Sequence, residues 1–179
     1  MKTAARGSAN RTALPPEGFL LRDYSPRDLK QLCALDRQCF PEKIAYPPET
    51  MRETIEAKAA FSIVAEDESG GIAAFVVAGR TSPQIGHIAT IDVAPGFRRH
   101  GLGTRLMQGA ESRLASLGVR KIRLETAIGN VARRLFAKLG YQRVGKIERY
   151  YPDGSDAWVM EKPLDRTGPR RTPSGVSQG

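Results

Sequence analysis

The chain has 179 residues, 40% of them hydrophobic and 26% charged, and a formal net charge of +9. That is enough apolar chain for one domain with a real core, and it excludes a fibrous or wholly disordered protein. No apolar run approaches the ~18 residues of a membrane span, and the N-terminus lacks the apolar stretch of a secretory signal, so a soluble, cytoplasmic protein is expected.

The charge is unevenly spread. Residues 1–16 carry Lys2, Arg6 and Arg11, and residues 166–179 carry Arg166, Arg170 and Arg171, with no acid in either segment. Setting these six aside leaves 22 basic against 19 acidic residues, a net +3, over residues 17–165. Both ends are rich in Gly, Ser, Thr and Pro, a composition that buries too little apolar area to offset chain entropy. They are expected to be disordered basic tails flanking one domain over residues 17–165. A mildly basic body argues against nucleic acid as the partner. Nucleic-acid binding through the tails is the rival, and it predicts a steep salt dependence that vanishes when both are removed.

Residues 19–24 read as a strand. Ser25-Pro26-Arg27-Asp28 then starts a helix, with Ser at the N-cap, Pro at the first helical position and an acid near the positive end of the dipole. Leu29, Leu32 and Cys33 form its apolar face. The chain leaves through Cys39-Phe40-Pro41-Glu42-Lys43-Ile44-Ala45-Tyr46-Pro47-Pro48, whose prolines exclude regular helix. A second helix is expected over residues 49–58. Residues 61–66 and 72–79 are β-rich runs around the turn residues Asp67-Glu68-Ser69-Gly70-Gly71. A third run, residues 87–93, stops at Pro95.

From Gly101 onward Leu102, Leu106, Ala110, Leu114 and Leu117 recur at three and four, and Gly118 ends the helix. Residues 121–127 alternate as a strand, and residues 130–139 form a helix stopped by Gly140. Residues 141–151 and 157–164 read as strands around Pro152-Asp153-Gly154. The order describes a mixed α/β domain with a largely antiparallel first half.

Cys33 and Cys39 lie six apart, whereas helical neighbours lie three or four apart, so a local disulfide is not expected and both should be free thiols. There is no Cys-x-x-Cys, and His87 and His100 fall outside ligand-like spacing, so no metal is expected.

The most informative segment is Ile91-Asp92-Val93-Ala94-Pro95-Gly96-Phe97-Arg98-Arg99-His100-Gly101-Leu102-Gly103-Thr104. A strand feeds a basic, Gly-containing turn and then a helix N-terminus, which presents unpaired N–H groups and a positive dipole end to an anion such as phosphate. Neither standard phosphate loop fits. There is no Gly-Lys-Ser/Thr ending, and Leu106 stands where the last glycine of a dinucleotide fingerprint belongs.

Arg98-x-x-Gly101-x-Gly103, after a strand closing in Val93-x-Pro95, resembles the acetyl-CoA pyrophosphate loop of the general N-acetyltransferase (GNAT) superfamily. The element order matches that fold over most of residues 17–165. The resemblance implies a single mixed central sheet, mostly antiparallel, splayed between its fourth and fifth strands and flanked by about four helices. It implies acetyl-CoA as cosubstrate and no metal. The pyrophosphate would lie on the loop Arg98, Arg99, His100, Gly101, Leu102, Gly103 and Thr104, and the pantetheine arm along Ile91, Asp92 and Val93.

Acetyl transfer to an amine needs a base, a donor for the carbonyl oxygen and an exit for the thiolate. Glu125, on the strand after the cofactor helix, is the candidate base. It resembles the base of protein N-terminal acetyltransferases of the ribosomal-protein-alanine type, which precedes an Asn by five residues. Asn130 stands at that spacing, and the resemblance places it near the cofactor arm. The family usually has a Tyr seven residues after this Asn as the acid for the thiolate. Here Phe136 follows at six and has no hydroxyl. It keeps its place at the cofactor, and a water or a nearby tyrosine is left to supply the proton.

Arg149-Tyr150-Tyr151-Pro152-Asp153-Gly154-Ser155-Asp156-Ala157-Trp158-Val159-Met160 resembles the Tyr-Tyr, Asp-Gly, Asp-Ala, Met signature that closes these enzymes. Phe40-Pro41-Glu42 resembles the loop that bounds their peptide groove. The implied acceptor site comprises Phe40, Pro41, Glu42 and Tyr46 with Tyr150 and Tyr151, and the two tyrosines are also candidates for catalysis. An α-amine, with a pKa of ~7.7–8.0, is far easier to deprotonate near pH 7 than a lysine at ~10.4. A protein or peptide N-terminus is therefore the expected acceptor. Neither cysteine is expected near the site, which points to direct transfer. The rivals are a small-molecule amine acetyltransferase, for a polyamine or an antibiotic, and a non-catalytic acyl-CoA-binding module. A monomer or weak homodimer is expected.

Overall fold

The computed structural model describes residues 18–164. The two expected tails, residues 1–16 and 166–179, lie outside the described residues. The chain runs β1 (Phe19–Asp23), a 3₁₀ turn (Pro26–Asp28), α1 (Leu29–Cys39), α2 (Pro48–Glu56), β2 (Ala60–Asp67), β3 (Ile72–Ser82) and β4 (Ile85–Val93). After a second 3₁₀ turn come α3 (Leu102–Ser116), β5 (Lys121–Ala127), α4 (Arg133–Lys138), β6 (Gln142–Ile147) and β7 (Ala157–Pro163). One seven-stranded sheet has the order β1-β2-β3-β4-β5-β7-β6. Every pairing is antiparallel except β4 with β5.

β3 explains why two layers cover the sheet. Ala73 to Ala78 are all buried, so both faces of this strand need a partner. On one face Leu102, Leu106, Met107, Ala110 and Leu114 of α3 pack on Val76, Ile88, Ile122 and Leu124. On the other, Leu32, Cys33 and Leu35 of α1 with Met51 and Ile55 of α2 pack on Val64, Phe75 and Val77. The expected α3 periodicity is thus a core stripe, and Gly118 follows it at φ +84°.

One irregularity positions the site. Val77 pairs with Thr90, and Ala78 with Ile88, so Ala89 is an extra residue in β4. A bulge of this kind reverses which face later side chains point to. Before it, Gly86 and Ile88 face α3: a Cβ on Gly86 would meet Leu114 Cδ1 at 2.9 Å. After it, Ile91 and Val93 take that face, and Asp92 turns toward Cys39 of α1. The pairing of β4 with β5 also stops here, running only from Ile85 opposite Lys121 to Ile88 opposite Leu124. Both strands continue, to Val93 and Ala127, without pairing to each other. The sheet therefore splays between its fourth and fifth strands.

Several expected boundaries shift. Ser25 caps a 3₁₀ turn with a capping box to Asp28, and the α-helix begins only at Leu29 and includes Cys39. The helix expected over residues 130–139 is shorter, because the Asn130 side chain accepts the Ala132 amide and holds a turn before α4. The strand expected over residues 141–151 ends at Ile147. Arg149 has φ 50° and its amide donates to Asp156 Oδ1, so Tyr150 and Tyr151 sit on a loop.

Candidate active site

The loop before α3 builds a cradle from backbone alone. Arg99 has φ 67° and Gly101, the N-cap, has φ 81°, so two left-handed residues turn the amides of the helix start outward. The first turn of α3 holds no acid that would compete for that end of the dipole. Arg98 Nε donates to Val93 O at 3.0 Å and ties the loop to the strand. A Cβ on Gly103 would come within 3.1 Å of Leu135 Cδ2 on α4 and 3.6 Å of Val93 Cγ2, so glycine lets three elements meet there.

A cavity of about 940 Å³ opens over this cradle. Of the expected cofactor residues, Ile91, Asp92, Val93, Arg98, Arg99, Gly101, Leu102, Gly103, Thr104 and Asn130 line it. Two do not. His100 is exposed and off its walls, and Phe136 is buried in the neighbouring smaller cavity, edge-on to Tyr141. Asp92 contributes from a buried position: its carboxylate accepts Thr90 Oγ1–H at 3.0 Å. Burial and then the like charge of Asp36 push it up to about 7.

The smaller cavity, about 80 Å³, adjoins the larger one and is walled by Phe40, Tyr46, Glu125, Phe136 and Tyr151 among others. Of the residues expected around the acceptor, Phe40 and Tyr151 wall both cavities, Tyr46 only the smaller and Pro41 only the larger. Glu42 is exposed and walls neither. Tyr150 walls neither, but packs edge-on against Tyr151 with ring centroids 5.0 Å apart, and is 44% exposed.

Glu125 faces the smaller cavity with a side chain only 8% exposed. His87 Nε2 lies 2.6 Å from its Oε2, and Arg123 Nε donates to its Oε1 at 2.8 Å. The His87 hydrogen bond is the main cause holding Glu125 below the usual carboxylate range; burial opposes it and Arg123 adds to it. A carboxylate only accepts, so Nε2 carries the shared proton in neutral His87, and Nδ1 keeps a lone pair. Both Glu125 carboxylate oxygens are thus engaged, one by His87 and one by Arg123.

Sequence reading missed His87, which is 38 residues from Glu125. It also missed Asp36, which walls the smaller cavity. Asp36 accepts the Tyr46 amide at 2.7 Å and is pushed up to about 6 by burial. No local signal marks either. Cys39 corrects an expectation, because it lines the larger cavity. Its Sγ–H donates to Val93 O at 3.4 Å, and burial pushes the thiol up to about 11, so it is no nucleophile near neutral pH.

A mixed sheet splayed between β4 and β5 beside a glycine-containing helix start, with His87 of β4 hydrogen-bonded to Glu125 of β5, is an acyltransferase architecture. The model of the acetyltransferase (GNAT) family matches residues 29–141, and the chain belongs to that family. It is 30% identical over 139 residues to N-alpha-acetyltransferase 30 of Schizosaccharomyces pombe, covering 75% of this chain and 91% of that protein. It is 28% identical over 164 residues to the N-alpha-acetyltransferase of Sulfurisphaera tokodaii, covering 82% and 93%. The crystal structure of the ribosomal-protein-S18-alanine N-acetyltransferase of Escherichia coli superposes with a TM-score of 0.73 at 22% identity, covering 85% of this chain and 97% of that one.

Proposed function

We propose that the protein transfers the acetyl group of acetyl-CoA directly to the N-terminal α-amine of a protein or peptide. The observation that carries this reading is Glu125 on the wall of the small cavity, hydrogen-bonded to His87, beside the larger cavity over the Arg98–Thr104 loop. The family is one of acetyltransferases, and the relatives named above are N-alpha-acetyltransferases.

The residues fit acetyl-CoA: the amides of residues 99–104 and Arg98 suit its pyrophosphate, and the unpaired edge of β4 at Ile91 and Val93 suits the amides of its arm. His87 takes the proton of the attacking amine at Nδ1, and Glu125 and Arg123 hold the imidazole and offset its charge. An α-amine, at ~7.7–8.0, gives up its proton near neutral pH far more readily than a lysine at ~10.4. Cys39 stays protonated, so the acyl group does not pass through the enzyme.

The test is turnover with acetyl-CoA on a library of peptides with free α-amines, set against the same peptides with only a lysine amine free and against polyamines and aminoglycosides. Preference for a lysine amine or a small molecule would refute the acceptor assignment. Coenzyme binding without turnover on any amine would refute catalysis altogether.

A further inference from the structure

The splay leaves a chemical demand on the wall between the two cavities. The thioester must bridge them, since its pantetheine side lies in the larger and the acceptor amine in the smaller. Its sulfur therefore reaches the shared wall. As nitrogen attacks and the carbon–sulfur bond breaks, the electron pair collects on that sulfur, and a buried thiolate needs a donor.

Six described residues wall both cavities: Phe40, Ile44, Ile91, Asn130, Ala132 and Tyr151. Four are apolar. Asn130 spends its Oδ1 on the Ala132 amide and offers only a neutral N–H. The remaining O–H belongs to Tyr151. Phe136, on the smaller cavity, has none, and the other hydroxyls there are committed or buried apart. Thr90 donates to Asp92 and Tyr46 to Ala89 O, while Thr126 lies buried on the smaller cavity alone.

We infer that Tyr151 is the catalytic hydroxyl that hydrogen-bonds the departing sulfur, while its neighbour Tyr150, outside both cavities, serves the incoming peptide. This rests on the acetyl-transfer reading above. The orientation supports it. No described protein group is hydrogen-bonded to the Tyr151 hydroxyl in a way that commits its O–H, and the ring walls both cavities. The ring is braced edge-on by Tyr150, and the Tyr151 amide and carbonyl both bond within the loop, to Ser155 O and from the Gly154 amide. Burial pushes the phenol well above its ordinary range, so it keeps its proton. The proton balance then closes: the amine proton goes to His87 and on to solvent, and the hydrogen-bonded thiolate takes a solvent proton as coenzyme leaves.

The experiment compares Tyr151→Phe with the parent enzyme on one α-amine peptide. The expected result is a kcat lowered about 10- to 100-fold, the value of one charge-assisted hydrogen bond, with the peptide KM within about threefold. Adding Phe136→Tyr to Tyr151→Phe returns a hydroxyl to the neighbouring wall and should recover at least part of the loss. A second readout needs no turnover. Ultraviolet titration of the thiol of enzyme-bound CoA should show its apparent pKa rising by about one unit or more in Tyr151→Phe. A raised peptide KM at unchanged kcat would overturn the inference, as would a bound-thiol titration that responds to Asn130→Ala and not to Tyr151→Phe. Failure of the parent enzyme to acetylate any amine would refute the proposed function instead.

Discussion

Asp92 offers a sharp physical test, because its carboxyl is 1% exposed and accepts the Thr90 hydroxyl, with the Cys39 thiol beside it, too little to offset its burial. Its folded value of about 7 compares with an unfolded value near ~3.9. For a carboxyl raised in the fold, the native state binds the extra proton, so stability is highest below the unfolded pKa, falls as pH rises toward 7 and is flat beyond. Three units at ~1.36 kcal/mol each set a ceiling of about 4 kcal/mol, and local relaxation makes about 2–4 kcal/mol the expected range. Asp92→Asn removes the charge and keeps an oxygen for Thr90. Urea unfolding of both proteins from about pH 4.5 to 8.5 should show near equality at the acid end and the variant more stable by that amount above neutrality. A difference that does not change with pH, or a variant less stable at pH 8, would refute the argument.

Other outcomes follow from the same geometry. His87→Ala and Glu125→Gln should each lower kcat by about 10² at pH 7, with a deficit that shrinks as the α-amine loses its proton unaided at higher pH. Steady-state pH profiles check this, and a deficit constant across pH would mean positioning alone. Gly103→Asp sets a side chain against Leu135 and a negative charge at the cradle, so acetyl-CoA affinity by calorimetry should fall more than tenfold. Buried Asp28 is held below the usual carboxylate range chiefly by its two hydrogen bonds from Arg22, which also contacts Glu66. Arg22→Ala should cost about 2–4 kcal/mol near neutral pH. That cost should fade as acid protonates Asp28, since a lowered carboxyl contributes stability above its unfolded pKa and loses it as pH falls; unfolding curves at pH 7 and 3.5 decide.

Much of this protein was legible along the chain because much of its structure is local. The α3 stripe from Leu102 to Leu114 follows from helical period and burial, and the Arg98–Thr104 cradle is a matter of backbone conformation within seven residues. The short reach of side-chain caps also made Ser25 and Asn130 readable as turn-makers, although Ser25 caps a 3₁₀ turn and Asn130 a turn ahead of α4 rather than the α-helices themselves. Glu125 could be singled out as a candidate because strand alternation and its offset from Asn130 both lie in one short segment. The end of β6 was misread for a related reason: the residues through Tyr151 alternate acceptably, but the chain turns where Asp156 captures the Arg149 amide.

What only the tertiary structure decided depends on which strands meet. His87 reaches Glu125 because β4 and β5 are parallel neighbours in a register that no local preference sets. Which face Asp92 takes turns on the extra residue at Ala89, visible only against the pairing with β3. Cys39 comes to the larger cavity, and Tyr151 rather than Tyr150 to the shared wall, through packing of α1 and the loop before β7 around the splay. Periodicity records which face of an element is apolar, and backbone chemistry records where it starts and stops. Neither encodes which other element will bury that face, and the choice is made by the sheet as a whole, which must cover β3 on both sides at once.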